Sequence, residues 1–313
     1  MNRNTIIGLV LIFGMFIGYT YLMTPSKEQM AKMKRTADST YLANQAKREA
    51  DIRTLAREKA LAVANEKDKI MATGQKLDSM TVLRLTMKDE LGAFANASVG
   101  RDTSYLLEND VFQIRISSLG GKITGVNLKN YLTWDKKPLE LVTKDSLQFG
   151  LSFFSNNRVI NTNKLFFQPF WPDKSFEGKT VKVSGNDSAR FGMRLFLSAS
   201  DTSFDPTRYI EYIYTIRGGE YMLKYSVKFV NLTGVVDPST KFLVLNWNSN
   251  LNRQERSLNM ERMSTGLFYK YADDKVDNLS ESKNEEKNLK NERLKWVSWK
   301  QQFFTSTLIA TDH

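Results

Sequence analysis

The residues able to do chemistry are few. The single imidazole is His313, and the 313 residues include no cysteine. Together these counts exclude a Cys-containing zinc site, a disulfide framework, a cysteine nucleophile and a Ser-His-Asp triad. A diacylated lipoprotein is excluded too, because its anchor is a cysteine. Compartment stays open, since a chain without thiols suits an oxidising and a reducing space equally. Gly120-Gly121-Lys122 invites comparison with a phosphate loop, but that pattern needs Gly where Ile116 stands and Ser or Thr where Ile123 stands. The spacing predicts a hairpin turn. Asp273, Asp274 and Asp277 lack the spaced oxygens and the glycine of a calcium loop and read as a solvated loop.

Glu108, Glu140, Glu211 and Glu255 could in principle supply two carboxylates about 5 to 9.5 Å apart for glycoside hydrolysis. Nothing in their spacing selects a pair. Trp134, Trp171, Trp247, Trp296 and Trp299 could line a carbohydrate groove or fill a sandwich core. No catalytic, cofactor-binding or metal-ligating residue is nominated, and no cofactor is expected. The net charge of +11 raises the question of nucleic acid. Residues 1–91 hold 15 basic and 10 acidic residues, leaving 30 and 24 in the body. The excess is spread out, so no nucleic-acid partner is expected.

The elements that carry these residues begin with an apolar run. Thr5 to Met23 is 19 residues without a charge, about 28 Å as a helix against a hydrocarbon core of about 30 Å. The alternative is a cleaved signal peptide, whose apolar region is typically about 7 to 15 residues and ends in small residues. Here the run ends in Tyr19, Tyr21, Leu22 and Met23, which favours an uncleaved anchor in the lipid bilayer, with the tyrosines at an interface. Arg3 precedes it and Lys27, Lys32, Lys34 and Arg35 follow it, so charge alone leaves the orientation undecided. Gly14-x-x-x-Gly18 permits close approach of another helix, or reflects ordinary glycine tolerance in a membrane span.

Pro25 stops that helix, and Ser26 with Gln29 has the form of a capping box. From Ser26 to Thr73 there is neither Gly nor Pro, and Ala56, Val63, Ile70 and Leu77 recur every seven residues. This predicts a long charged helix; Lys59 in the companion row weakens a coiled coil. Interspersed acids such as Glu28, Asp38 and Glu49 make the basic residues a solvated face rather than a headgroup or nucleic-acid patch.

Beyond residue 100 the period becomes two, as in Val111 to Ile116, Tyr209 to Ile216 and Met222 to Phe229. Gly120-Gly121 precedes a strand from Lys122 to Leu128, and Gly218-Gly219 reads as the tight turn of a hairpin. Further strands are expected at 147–154, 180–184, 190–199, 241–247 and 303–311, with 273–292 an exposed loop or short helix. About a dozen strands without interleaved helices predict an all-β sandwich.

Five stretches carry a family resemblance. The anchor Asn4-Thr-Ile-Ile-Gly is followed, after the spacer, by Ser118-Leu-Gly-Gly-Lys-Ile123 running into Leu128-Lys-Asn-Tyr131. Then come Tyr225-Ser-Val-Lys-Phe-Val-Asn-Leu-Thr-Gly234 and Trp296-Val-Ser-Trp-Lys-Gln-Gln-Phe-Phe304. In this order they resemble the Gram-negative YidC membrane protein insertases. The resemblance implies a cytoplasmic N-terminus, a first membrane helix in the inner membrane, and a periplasmic domain folded as a β-supersandwich. It implies a non-enzymatic role helping nascent membrane proteins insert and fold, with the Sec translocon and its SecDF accessory proteins as partners. It also implies a later five-helix bundle with a polar groove and an intramembrane Arg. After Met23 no second run of 18 apolar residues occurs, so the sequence reads as an N-terminal part: anchor 1–25, largely helical spacer 26–100, periplasmic domain 101–313. The rival readings are a membrane-anchored carbohydrate-binding sandwich and a coiled-coil adaptor.

Overall fold

The computed structural model describes residues 86–311 except 145, 157, 179, 201, 237–242, 283, 290 and 291. The expected anchor and most of the spacer lie outside these. The described residues all fall in the second of the chain's two units, Asp78–His313.

Among the described residues, alternating apolar and polar side chains build sixteen strands in four sheets. The first has the order β4 (Pro138–Val142), β3 (Ile123–Leu132), β2 (Phe112–Ser117), β1 (Ser104–Glu108) and β8 (Thr180–Lys182). The second runs β11 (Lys224–Val230), β10 (Phe204–Arg217), β9 (Ser188–Ser198) and β7 (Gln168–Phe170). The third is β12 (Val244–Ser249), β5 (Leu147–Ser155) and β6 (Arg158–Asn161). The fourth is β14 (Val276–Ser280), β13 (Gly266–Tyr271), β15 (Leu294–Lys300) and β16 (Thr305–Ile309). Pairing is antiparallel except between β1 and β8.

The long strands β9 and β10 show why this sequence makes sandwiches. Ile210, Tyr212, Tyr214 and Ile216 alternate on β10 and are buried, as are Phe191, Met193, Leu195 and Leu197 on β9. With a period of two, all eight point to one face, and burying each stabilises the fold by roughly 1.5–3 kcal/mol. Rings from two other sheets close over that face. Tyr105 of β1 lies 5.3 Å from Phe191, and Phe149 and Phe153 of β5 lie 5.5 Å from Tyr225 and 5.7 Å from Phe229. Two buried hydroxyls find partners across the same interface, Tyr212 in Thr162 at 3.1 Å and Tyr214 in the carbonyl of Gly121. Phe94 and Ala97, within the 3-10 segment Gly92–Ser98, belong to the same core. These residues lie in the stretch that the sequence reads as spacer.

The two glycine pairs behave differently. Gly120 and Gly121, at φ +83° and +58°, form the β2–β3 turn closed by Ser117 N–H to the Lys122 carbonyl at 2.9 Å. Gly218-Gly219 does not form a tight two-residue turn, because the last β10–β11 pair is Thr215 with Lys224. Gly218 is needed there for close approach instead. A Cβ on it would sit 2.3 Å from the backbone of Ser184. Residues 273–292 also depart from expectation, since β14 pairs with β13 inside that stretch. The sequence missed β14 because Val276-Asp-Asn-Leu-Ser280 alternates weakly and is half exposed.

Candidate interaction surface

Three turns from three sheets converge on one aromatic platform. Tyr131 stands near the end of β3, Tyr221 in the β10–β11 loop and Phe304 in the β15–β16 turn. The Tyr131 ring lies 6.4 Å from that of Tyr221 and 5.4 Å, edge on, from that of Phe304. Large apolar neighbours in these turns are open to solvent, with Trp134 50%, Met222 64% and Phe303 68% exposed. The Arg253 guanidinium lies 5.4 Å over the Trp134 ring, a cation–π contact. The Tyr221 phenol beside Tyr131 pushes the Tyr131 hydroxyl above its ordinary pKa of 10.0.

A buried polar hub fixes this platform. Glu261, on the helix Leu258–Ser264, is 3% exposed. Its carboxylate accepts from the Gln254 backbone N–H at 2.9 Å and from Gln301 Nε2 at 3.2 Å. Gln301 Nε2 also donates to the Asn252 carbonyl at 2.7 Å, and Gln254 Nε2 donates to the Glu140 carbonyl at 2.9 Å. The Gln254 carbonyl then accepts from Trp134 N–H at 3.1 Å. One carboxylate thus ties the β3–β4 turn, the 250–257 loop and the β15–β16 turn together. Exposed aromatic rings beside a guanidinium, on a fixed base, suit contact with apolar or planar groups of a partner.

Three of the four acids considered for catalysis are engaged in ion pairs. Glu108 accepts from Lys129 at 2.7 Å and Lys182 at 3.2 Å, Glu140 pairs with Arg115 at 3.0 Å, and Glu211 with Arg194 at 2.7 Å. Glu108 and Glu140 lie on strands of one sheet separated by two others. At about 4.8 Å per strand that is roughly 14 Å, too far for the glycosidase geometry. Asp274 sits 2.8 Å from both Lys270 and Lys295, which hold its carboxyl down at about 2, and Asp277 pairs with Lys287. Of the five tryptophans, Trp247 and Trp299 pack against each other at 6.1 Å and Trp171 packs on the core, whereas Trp134 is exposed.

Sequence reasoning missed the platform, since Tyr131, Tyr221 and Phe304 are far apart in the chain. It also missed Arg194, whose guanidinium lies 3.5 Å over Phe170 and 4.4 Å over Tyr209 while bonding Glu211. The only signal was that Arg194 and Glu211 are the charged residues within the largely apolar runs 191–197 and 209–216, which prove to be adjacent strands with these two residues directly opposite.

The motifs that looked familiar prove to be structural fasteners. Asn231 takes φ +53° at the end of β11, where its amide donates to the Thr207 carbonyl at 2.9 Å, and Gly234 follows at φ +77°. Lys300 donates to the Ser264 carbonyl at 3.1 Å, and Gln301 enters the Glu261 hub. Such a molecule is an all-β, multi-sheet sandwich domain that presents a contact surface. The family model for the YidC periplasmic domain matches residues 105–313, and the chain belongs to this family. It is 31% identical over 310 residues to the membrane protein insertase YidC of Bacteroides fragilis strain YCH46, covering 99% of this chain and 43% of that protein. The insertase YidC of Parabacteroides distasonis is 30% identical, with 100% of this chain and 44% of that protein covered. The insertase YidC of Porphyromonas gingivalis ATCC 33277 gives 30%, with the same coverage. The chain thus spans less than half the length of the curated relatives it matches.

Proposed function

We propose that this chain is the anchor and periplasmic portion of a YidC-type membrane protein insertase and chaperone of the bacterial inner membrane. The observation that supports this most strongly is similarity along 99% of the chain to proteins named as such, together with the periplasmic-domain match over residues 105–313. In this reading residues 1–25 form the anchor with a cytoplasmic N-terminus, residues 26–100 the spacer, and residues 101–313 the periplasmic domain. The work is contact rather than covalent chemistry. Clients are nascent membrane proteins, and the β domain meets them, or the Sec translocon and SecDF, through surfaces such as the Tyr131 platform. No nucleotide, metal or nucleophile enters. Insertion itself belongs to a membrane-embedded groove whose Arg lowers the cost of admitting polar client segments.

The full-length gene, expressed in cells depleted of their native insertase, is expected to restore membrane-protein insertion. The 313-residue chain alone is expected not to restore it, because it holds no run of 18 apolar residues after Met23. Failure of the full-length gene to rescue would remove the assignment. A carbohydrate-binding reading keeps one observation in its favour, the exposed rings of Trp134, Tyr131 and Tyr221. Saturable millimolar or tighter glycan binding in a calorimetric titration, lost in Trp134→Ala, would favour that alternative.

A further inference from the structure

The third sheet has one face in the core and one in solvent, and its solvent face carries no charge. On β5, Leu151 and Phe153 are buried and Phe149 meets Tyr225. With a period of two, Gln148, Gly150, Ser152 and Phe154 therefore point the other way. On β12 the register sets Asn248 opposite Gln148, Asn246 opposite Gly150 and Val244 opposite Ser152. On β6 it sets Asn161 opposite Ser152 and Val159 opposite Phe154. The face runs about 20 Å from Gln148 to Phe154, at roughly 3.4 Å per residue. The outer face of the second sheet, by contrast, bears Arg190, Arg194, Glu211, Lys224 and Lys228 in facing rows. In a chain that is 25% charged, a face that meets only water is ordinarily charged in this way.

The amides of the third sheet are oriented but not used up. Asn246 Nδ2 donates to Ser152 Oγ at 2.9 Å, Asn248 Nδ2 donates to Gln148 Oε1 at 3.3 Å, and Asn161 Oδ1 accepts from Asn163 N–H at 3.0 Å. Each bond engages one end of an amide, and a carboxamide has both a donor and an acceptor end. Asn163 goes further. Its carboxamide lies on Gly150, which leaves room for it, since a Cβ there would sit 2.5 Å from Asn163 Oδ1. That oxygen is buried and has no hydrogen-bond partner among the described residues, where a buried acceptor ordinarily has one. The residue as a whole is only half-buried, so the carboxamide belongs to the surface of the face. At the end of the row the Phe154 ring is 49% exposed.

We propose that this face binds a neutral oligosaccharide chain laid along β5. Sugar hydroxyls are uncharged and stand in adjacent pairs, one donating while the next accepts, which matches the two ends of a carboxamide. Asn163 turns its unbonded carboxamide to such a pair. Gln148, Asn246 and Asn248 offer their unengaged ends along the row, and the Phe154 ring stacks on the apolar face of a sugar ring. A polypeptide strand pairs through main-chain groups at a sheet edge, which a sheet face does not offer, and these positions hold no cation for an anionic ligand. The site is separate from Trp134, Tyr131 and Tyr221, and it stands whether or not the chain serves an insertase.

Calorimetric titration of the full 313-residue chain in a non-glycosidic detergent tests this, with cellotetraose, maltotetraose and chitotetraose as probes. At least one is expected to bind saturably and to shift the Gly150 amide resonance. Phe154→Ala and Asn163→Leu are each expected to weaken that binding about tenfold or more, and Trp134→Ala to leave it unchanged. Phe154 is exposed and can be cut back without disturbing the core, so the test does not hang on the folding of the Asn163 variant. Absence of binding by all three probes, retention of wild-type affinity in Phe154→Ala, or loss of binding in Trp134→Ala would overturn the proposal.

Discussion

At the residue scale, charged groups in this domain act as fasteners, and their energetics can be read from their burial. The Lys129 ammonium, reinforced by Lys182 and Gln113, holds the Glu108 carboxyl below its ordinary 4.5 despite desolvation. A carboxyl depressed in the folded state contributes stability that is present above its unfolded pKa and is lost as pH falls through the folded value. Glu108→Gln is therefore expected to flatten the loss of stability below about pH 4.5, measured as urea midpoints across the acid range. Arg194 and Glu211 form a tighter case, with side chains 22% and 9% exposed. Arg194→Met strands a nearly buried carboxylate and should cost about 3 kcal/mol. Replacing both partners with apolar residues should recover most of it, and a double-mutant urea series distinguishes the two outcomes. Had Arg194 mattered only through its stacking on Phe170 and Tyr209, Glu211→Leu would recover nothing in the single variant.

At the scale of elements, loops are positioned by single side chains whose loss should be felt at both ends of a contact. Asn109 is 1% exposed. Its amide donates to the carbonyls of Arg217 at 2.7 Å and Glu220 at 2.8 Å, and its oxygen accepts from the N–H groups of Val111 and Phe112. Asn109→Ala leaves buried backbone groups without partners, expected to cost about 2–3 kcal/mol and to loosen residues 218–223, seen as faster amide exchange there. The two neighbouring glycines separate space from conformation. Gly218→Ala drives a methyl to within 2.3 Å of Ser184 backbone and should cost about 1–3 kcal/mol. Gly219→Ala, at φ +71° with nothing nearer than 3.9 Å, meets only the left-handed penalty of about 1 kcal/mol. Chemical denaturation of the two variants tests that order. Likewise Glu261→Ala removes the acceptor shared by Gln254 and Gln301. It should release the Tyr131–Phe304 platform while leaving the Phe191–Tyr214 core ordered, readable in aromatic side-chain NMR.

At the scale of the whole molecule, the sequence by itself determined the class of fold. Period-two alternation in Tyr209 to Ile216 and Arg190 to Ala199 admits one arrangement, strands with one buried face, because successive side chains must point to opposite sides of a pleat. The Gly120-Gly121 turn was legible for a similarly local reason, positive φ. Absent thiols and a lone imidazole likewise limited the chemistry without any structure, since residue types that are missing cannot be supplied by folding. Weak alternation hid β14, and Gly218-Gly219 was misjudged because its glycine serves a contact with Ser184, 34 positions away, rather than a local turn. Only the tertiary structure decided which carboxylates meet which cations, and that Tyr131, Tyr221 and Phe304 form one surface. These are juxtapositions of residues remote in sequence, set by how four twisted sheets pack, and no local propensity or period encodes the distance between two turns on different sheets.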